Sequence, residues 1–312
     1  MKTSLPAICL AAAVAAALPA PAHALQRAFV ASYGSDANTA TNCLLANPCR
    51  GFAAAMTVID AGGEIIALDA AGYAPVTINK SVTITANPGF YAGISVATGD
   101  GVTIATASVV VTLRGLNING IGGAKGVNMT NGNRLSIENC VISNFTSDGV
   151  FVNSTAKVRV ADSLIRDNGH AGVYLQGGAT GDVVRSIFLG NADFGVTAEG
   201  NVGATLTTVN VSDSMFNGNT WGVGARGHAG NARATVARST MTSHGFTGVV
   251  SATFGASTAL LTLTDSVITA NQFGLVQSSG GGGTATLESA GNNTVRQNTT
   301  QVQGSVTAVP QM

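Results

Sequence analysis

The chain has little charge, and what it has is balanced. Charged residues make up 10% of the 312, with 15 Lys and Arg against 15 Asp and Glu. No surface of one dominant sign follows from that balance, which excludes nucleic acid and anionic membrane faces as expected partners. Aromatic residues are 5% of the chain and cysteines number 4, so neither an aromatic-rich core nor a disulfide-built scaffold is indicated. Beyond residue 24 no stretch approaches the roughly 18 charge-free apolar residues of a membrane-crossing helix, so no membrane insertion is expected. Nothing near Met312 resembles a barrel strand or a sorting signal. Glycine, at 40 residues, is what the chain has in quantity.

Residues 1–24 read as a secretory signal peptide. Lys2 precedes an apolar stretch from Leu5 to Leu18, and Ala22-His23-Ala24 supplies small residues for cleavage near Ala24. Cys9 is no lipid anchor, because Ile8 stands before it where a small residue is required. Removing Lys2 from the 15 basic residues leaves 14 against 15 acidic ones, about one net negative charge. The expected product is secreted or periplasmic. In that oxidising setting Cys43 and Cys49, bracketing a short loop that contains Pro48, are expected to form a local disulfide.

Seven times a glycine followed by an aliphatic residue opens a short apolar alternation: at Gly126, Gly149, Gly172, Gly195, Gly222, Gly248 and Gly274, at intervals of 23, 23, 23, 27, 26 and 26 residues. A period in this range, with no helical spacing between units, marks a solenoid whose coils share one core. The expected fold is all-β, a right-handed parallel β-helix with three short strands per coil. Alternation points Val150, Val152, Val173, Leu175, Val196 and Val223 inward. It points Phe151, Asn153, Tyr174, Gln176, Thr197, Glu199 and Arg226 outward.

Residues one period apart are spatial neighbours, and three columns follow. Leu116, Cys140, Ser163, Ser186, Ser214, Ser239, Ser266 and Asn293 form a ladder of mostly small polar residues, in which Cys140 is an inert serine substitute. Ahead of it run Asn139, Asp162, Arg185, Asp213, Arg238, Asp265 and Asn292, whose alternating signs suit a stacked ion ladder. Asn168, Asn191, Asn219, His244, Asn271 and Asn298 occupy the next turn, with His244 standing in for asparagine.

The domain plan places the disulfide and a capping helix in residues 25–61, the β-helix in 62–304 and a tail in 305–312. Phe52, Met56 and Ile59 at i, i+4 and i+7, before the stop at Gly62-Gly63, predict a helix over 50–59. It is expected to seal the first coil. Less regular strands are expected at 64–68, 76–85, 94–96, 102–104 and 109–113. The Gly-aliphatic signal fades at Gln301-Val302, and the tail either covers the far end or hangs loose.

With Tyr33-Gly-Ser-Asp36-Ala-Asn38, then Asn47-Pro48-Cys49-Arg50 leading into the Phe52 helix, and the repeat from Gly62 to about Val302, the chain resembles right-handed parallel β-helix proteins. The resemblance is to the pectate-lyase-like superfamily, in particular its exported bacterial members with the generic β-helix repeat. It implies a site, where there is one, in the groove outside the Gly-Val-x-Val strand. The superfamily's catalytic signatures are absent or incomplete. Gly169-His170-Ala-Gly172 and Gly227-His228-Ala-Gly230 only partly match the Gly-His-Gly of its hydrolases. The Asp-Pro-His of its epimerases is missing, and neither the calcium cluster nor the abstracting base of its lyases maps onto this chain. Gly222-Val-Gly224-Ala-Arg-Gly227 spells a dinucleotide fingerprint but sits in a strand with no helix after it. No cofactor and no metal are expected.

One constellation remains on consecutive coils. Asp148, His170 and Asp193 stand one or two residues before the repeated glycine, as candidate catalytic residues. Phe151, Asn153, Tyr174, Gln176 and Glu199 lie beside them as candidate ligand-binding residues. Stacked aromatic faces hold sugar rings, and a histidine between carboxylates gains basicity. Short flanking turns and low charge speak against a walled, water-excluding pocket. The leading expectation is an exported non-catalytic β-helix, a surface or extracellular interaction module with weak affinity for a polysaccharide or cell-surface glycan. The alternative is a polysaccharide lyase, hydrolase or epimerase acting on the same face. An ice-binding array is excluded, because the outward column Asn128, Phe151, Tyr174, Thr197, Gly224, Val250, Val276 is irregular.

Overall fold

Short runs of alternating apolar residues, each ended by a polar corner, close into coils of three strands. The computed structural model describes residues 25–203 and 205–310; the stretch 1–24 expected to be a signal peptide, with Cys9 in it, lies outside the described residues. One strand from each coil enters each of three parallel sheets. The first has 12 strands, from Arg27–Val30 to Thr307–Val309. The second, of short strands, has 10, from Ala71–Gly72 to Thr294–Arg296. The third, here the Gly-Val sheet, has 10, from Val76–Ile78 to Thr300–Gln303. The inward residues are buried as expected, Val150, Val173, Val196 and Val223 at 0% exposure. They stack in register, Val127 on Val150 on Val173 on Val196 on Val223.

The repeated glycine has a steric cause. A Cβ on Gly149 would lie 2.7 Å from the carbonyl oxygen of Gly172, and one on Gly172 would lie 2.6 Å from that of Gly195. The same clash recurs from Gly126 to Gly149 and from Gly222 to Gly248. None of these glycines has positive φ. Glycine recurs because adjacent coils approach too closely there for a side chain.

The serine ladder is present. Ser163, Ser186, Ser214, Ser239 and Ser266 each accept, through Oγ, the backbone N–H of the residue one coil earlier, at 3.1–3.2 Å. Cys140 is buried at the head of the ladder, its thiol pushed up to about 11 by burial. The asparagine ladder is equally direct: Asn191 and Asn219 accept from the backbone of Asn168 and Asn191 at 3.3 and 2.9 Å. His244 donates its N–H to Asn271 in the same pattern at 2.9 Å, and burial lowers its imidazole to about 4, so it is neutral.

The charged column departs from expectation in two respects. It is a set of pairs, not a continuous ladder: Arg185 reaches back to Asp162 with two bonds of 2.7 and 2.8 Å, and Arg238 to Asp213 with 2.7 and 2.9 Å. Its residues also form a left-handed corner, with φ from 46° to 53° at Asn139, Asp162, Arg185, Asp213, Arg238 and Asp265. Asn and Asp tolerate that geometry; for Arg it is strained, and the bidentate ion pair accompanies it.

The N-terminal end is sealed. Phe52–Val58 is helical and buries Phe52, Ala55 and Met56. Cys43 and Cys49 are joined by a disulfide, and the strand Arg27–Val30 pairs with Gly63–Ala67. The strand expected over 76–85 is two, Val76–Ile78 and Val82–Ala86, in different sheets. Apolar alternation ran on through a corner. At the other end Thr307–Val309 pairs with residues 288–290, so the tail continues the first sheet.

Candidate functional site

Coil stacking brings Asp148, His170 and Asp193 together as expected. They occupy the turn before the Gly-Val strand, where the backbone N–H of His170 donates to Ser147 and that of Asp193 to His170, at 2.9 and 3.0 Å. The His170 imidazole lies between the two carboxylates, Nδ1 at 2.6 Å from Asp148 and Nε2 at 3.1 Å from Asp193. Two acceptors require both ring nitrogens to carry protons. The hydrogen bond to Asp148, followed by that to Asp193, outweighs desolvation and pushes His170 up to about 10. Asp148 is buried and also accepts from the N–H of Ala171 at 3.3 Å. The imidazolium is thus a fixed cation at neutral pH.

Phe151 and Tyr174 stack on adjacent coils, with centroids 5.7 Å apart and planes within 8°. Tyr174 also meets the His170 ring at 5.3 Å, and Lys125 sits over Phe151 at 5.1 Å. Burial, reinforced by the charge of Glu199, raises the Tyr174 hydroxyl, which stays protonated. Asn153 and Gln176 are register partners, and Asn201 donates to the Gln176 side chain.

Glu199 does not extend this exposed polar row. It points out of the coil yet is 4% exposed, and its neighbour in the outward series, Thr197, is 0% exposed. Glu199 Oε1 pairs with His228 Nε2, while Oε2 is 3.7 Å from Arg226 Nε and has no hydrogen-bond donor among the described residues. Burial raises its pKa, against the opposing charges of Arg226 and His228.

The expectation of an unwalled face is corrected over the later coils. Phe194, Trp221 and Phe273 open successive Gly-Val strands, Phe246 immediately precedes another, and together they form a continuous aromatic wall, with neighbouring centroids 5.4, 4.5 and 5.0 Å apart. Beside it the outward residues Val250, Ala252 and Val276 make an aliphatic floor. Arg226 and Phe254 complete a groove of about 510 Å³, and Asp193 lies at its margin next to His170. However short the turns, side chains at the strand entrances can wall a groove when they stack. The signal was in the sequence, an aromatic residue one or two positions before the glycine on four consecutive coils.

This geometry defines a parallel β-helix with one elaborated outer face. Residues 64–258, more than half of the chain, match the family model described as right handed beta helix region, and the chain belongs to that family. No curated protein matches it. Among solved structures it is similar to full-length tailspike protein 2 of an Escherichia coli O157:H7 bacteriophage, at 12% identity and TM-score 0.52, covering 77% of this chain and 36% of that one. The enzymatically active domain of a bacteriophage tailspike protein 2 matches at 12% identity and TM-score 0.52, covering 83% of this chain and 44% of that one. Pectate lyase Pel9A matches at 13% identity and TM-score 0.47, covering 92% and 78%. The chain thus spans less than half of either tailspike, and these likenesses concern the fold.

Proposed function

We propose that the protein is an exported, non-catalytic β-helix module that binds saccharide chains along the outer face of the Gly-Val sheet. The observation that carries this is the Phe151–Tyr174 stack, flanked by Asn153 and Gln176 and running toward the aromatic groove. The parallel, stacked rings present a continuous apolar edge along which the C–H groups of a sugar chain can lie, while the amides meet hydroxyls. The His170 triad supports binding over catalysis. A general acid or base works best with its pKa near the working pH, and an imidazolium held at about 10 with both N–H groups engaged is far from that. Export rests on the leader-like residues 1–24.

A second reading, a polysaccharide lyase, hydrolase or epimerase, is favoured by one feature. Glu199 is a buried carboxyl with a raised pKa beside the groove, as a general acid would be. The test is a glycan array together with a uronate-polymer degradation screen on the purified chain. Binding without turnover supports the module, and turnover lost in Glu199→Gln supports the enzyme. If nothing binds or reacts, both readings fail. His170→Ala should change affinity modestly in a binding module.

A further inference from the structure

Resting on the saccharide reading, we infer that the groove of the later coils selects sugars bearing acetyl groups. Its floor, Val250, Ala252 and Val276, is aliphatic and at most 6% exposed. Ser278 and Gln303 also line the groove, but a sugar hydroxyl set directly on the three aliphatic side chains finds no hydrogen-bond partner in them, which is unfavourable. A ligand suited to this floor brings a small apolar group.

The polar groups nearby specify the rest. Arg226 lies 5.4 Å over the Phe194 ring and 5.2 Å over the Phe254 ring, so its guanidinium is held by rings from the coils before and after its own. Among the described residues its guanidinium makes no hydrogen bond, and its ion pair with Glu199 is long, 3.7 Å from Nε to Oε2. It is the register partner of both Glu199 and Ala252, which places it where the polar end of the groove meets the floor. Glu199 Oε2 is buried there with no hydrogen-bond donor among the described residues. A positioned guanidinium with free N–H groups beside an aliphatic floor matches a carbonyl oxygen joined to a methyl, as in an acetamido or O-acetyl substituent. The acetyl group is uncharged, which suits a surface where the carboxylates of Asp148, Asp193 and Glu199 already face His170, Arg226 and His228.

The experiment is isothermal titration with neutral matched pairs: chitopentaose against cellopentaose, and O-acetylated xylo-oligosaccharides against the same material after alkaline deacetylation. The acetylated member of at least one pair should bind at least tenfold more tightly. Arg226→Gln, which removes the guanidinium, and Val250→Thr, which keeps the side chain's shape, should each reduce that preference severalfold; Tyr174→Ala should weaken both members alike. Melting curves of each variant establish that it is folded. Equal affinity within both pairs overturns the acetyl inference while leaving the saccharide reading intact, as does binding only to unacetylated glycans. A preference unchanged in both groove variants also overturns it. Absence of binding to these pairs and to the whole glycan array removes both.

Discussion

The His170 triad makes stability depend on pH in a defined window. The imidazole is pushed from its ordinary 6.5 up to about 10 in the folded protein, so the fold favours the protonated form. The resulting stabilisation is fully present below about pH 6.5, where the unfolded chain is also protonated, and is lost as pH rises through about 10. Taken at face value the shift corresponds to roughly 5 kcal/mol. The His170 side chain is 42% exposed, however, and screening by water and salt reduces this to about 1–2 kcal/mol. For a chain of this size that is a few degrees in Tm. Thermal melts of wild type and His170→Gln at pH 6, 8 and 10 isolate the effect, since other titrations cancel in the difference. The wild type should melt several degrees above the variant at pH 6, with the gap narrowing toward pH 10. A gap that stays constant over this range, or an imidazole titrating near 6.5 by NMR, would refute the clamped imidazolium.

Further predictions concern the stacking. Gly172→Ala should destabilise by about 1–3 kcal/mol, because its Cβ meets a backbone carbonyl at 2.6 Å; an unchanged urea midpoint would contradict the steric account. Ser186→Ala leaves the buried N–H of Ser163 without its acceptor and should cost about 1–3 kcal/mol in the same assay. Arg185→Asp removes the pair with Asp162 and puts three carboxylates in one column, so Tm should fall at low salt and recover partly with added salt. Salt-independent melting of that variant would show that the pairs do not contribute.

Much of the architecture is legible in the sequence because a solenoid turns periodicity into adjacency. The glycine, serine and asparagine columns sit at fixed offsets, and the same rule placed Asp148, His170 and Asp193 in contact. Features that combine different offsets were harder to read. Phe246 lies two positions before its glycine and Phe194, Trp221 and Phe273 one, so the wall emerges only when the rings stack. Glu199 alternates outward like Tyr174, and its pairing with Arg226 and His228 on the next coil is not written in that alternation. The left-handed corner was hidden by Arg185 and Arg238, residue types that rarely adopt it. The single strand expected over 76–85 failed because Ile78 and Val82 keep the apolar alternation across a turn.

The chain's single tryptophan, Trp221, stands in the aromatic wall and reports directly on the proposed face. Titrating the protein with an array-selected glycan while following Trp221 emission should give a saturable shift whose midpoint matches the calorimetric Kd, and Tyr174→Ala should move both together. Calorimetric binding with no response from Trp221 and no loss in Tyr174→Ala would place the ligand elsewhere and contradict the assignment of the Gly-Val face.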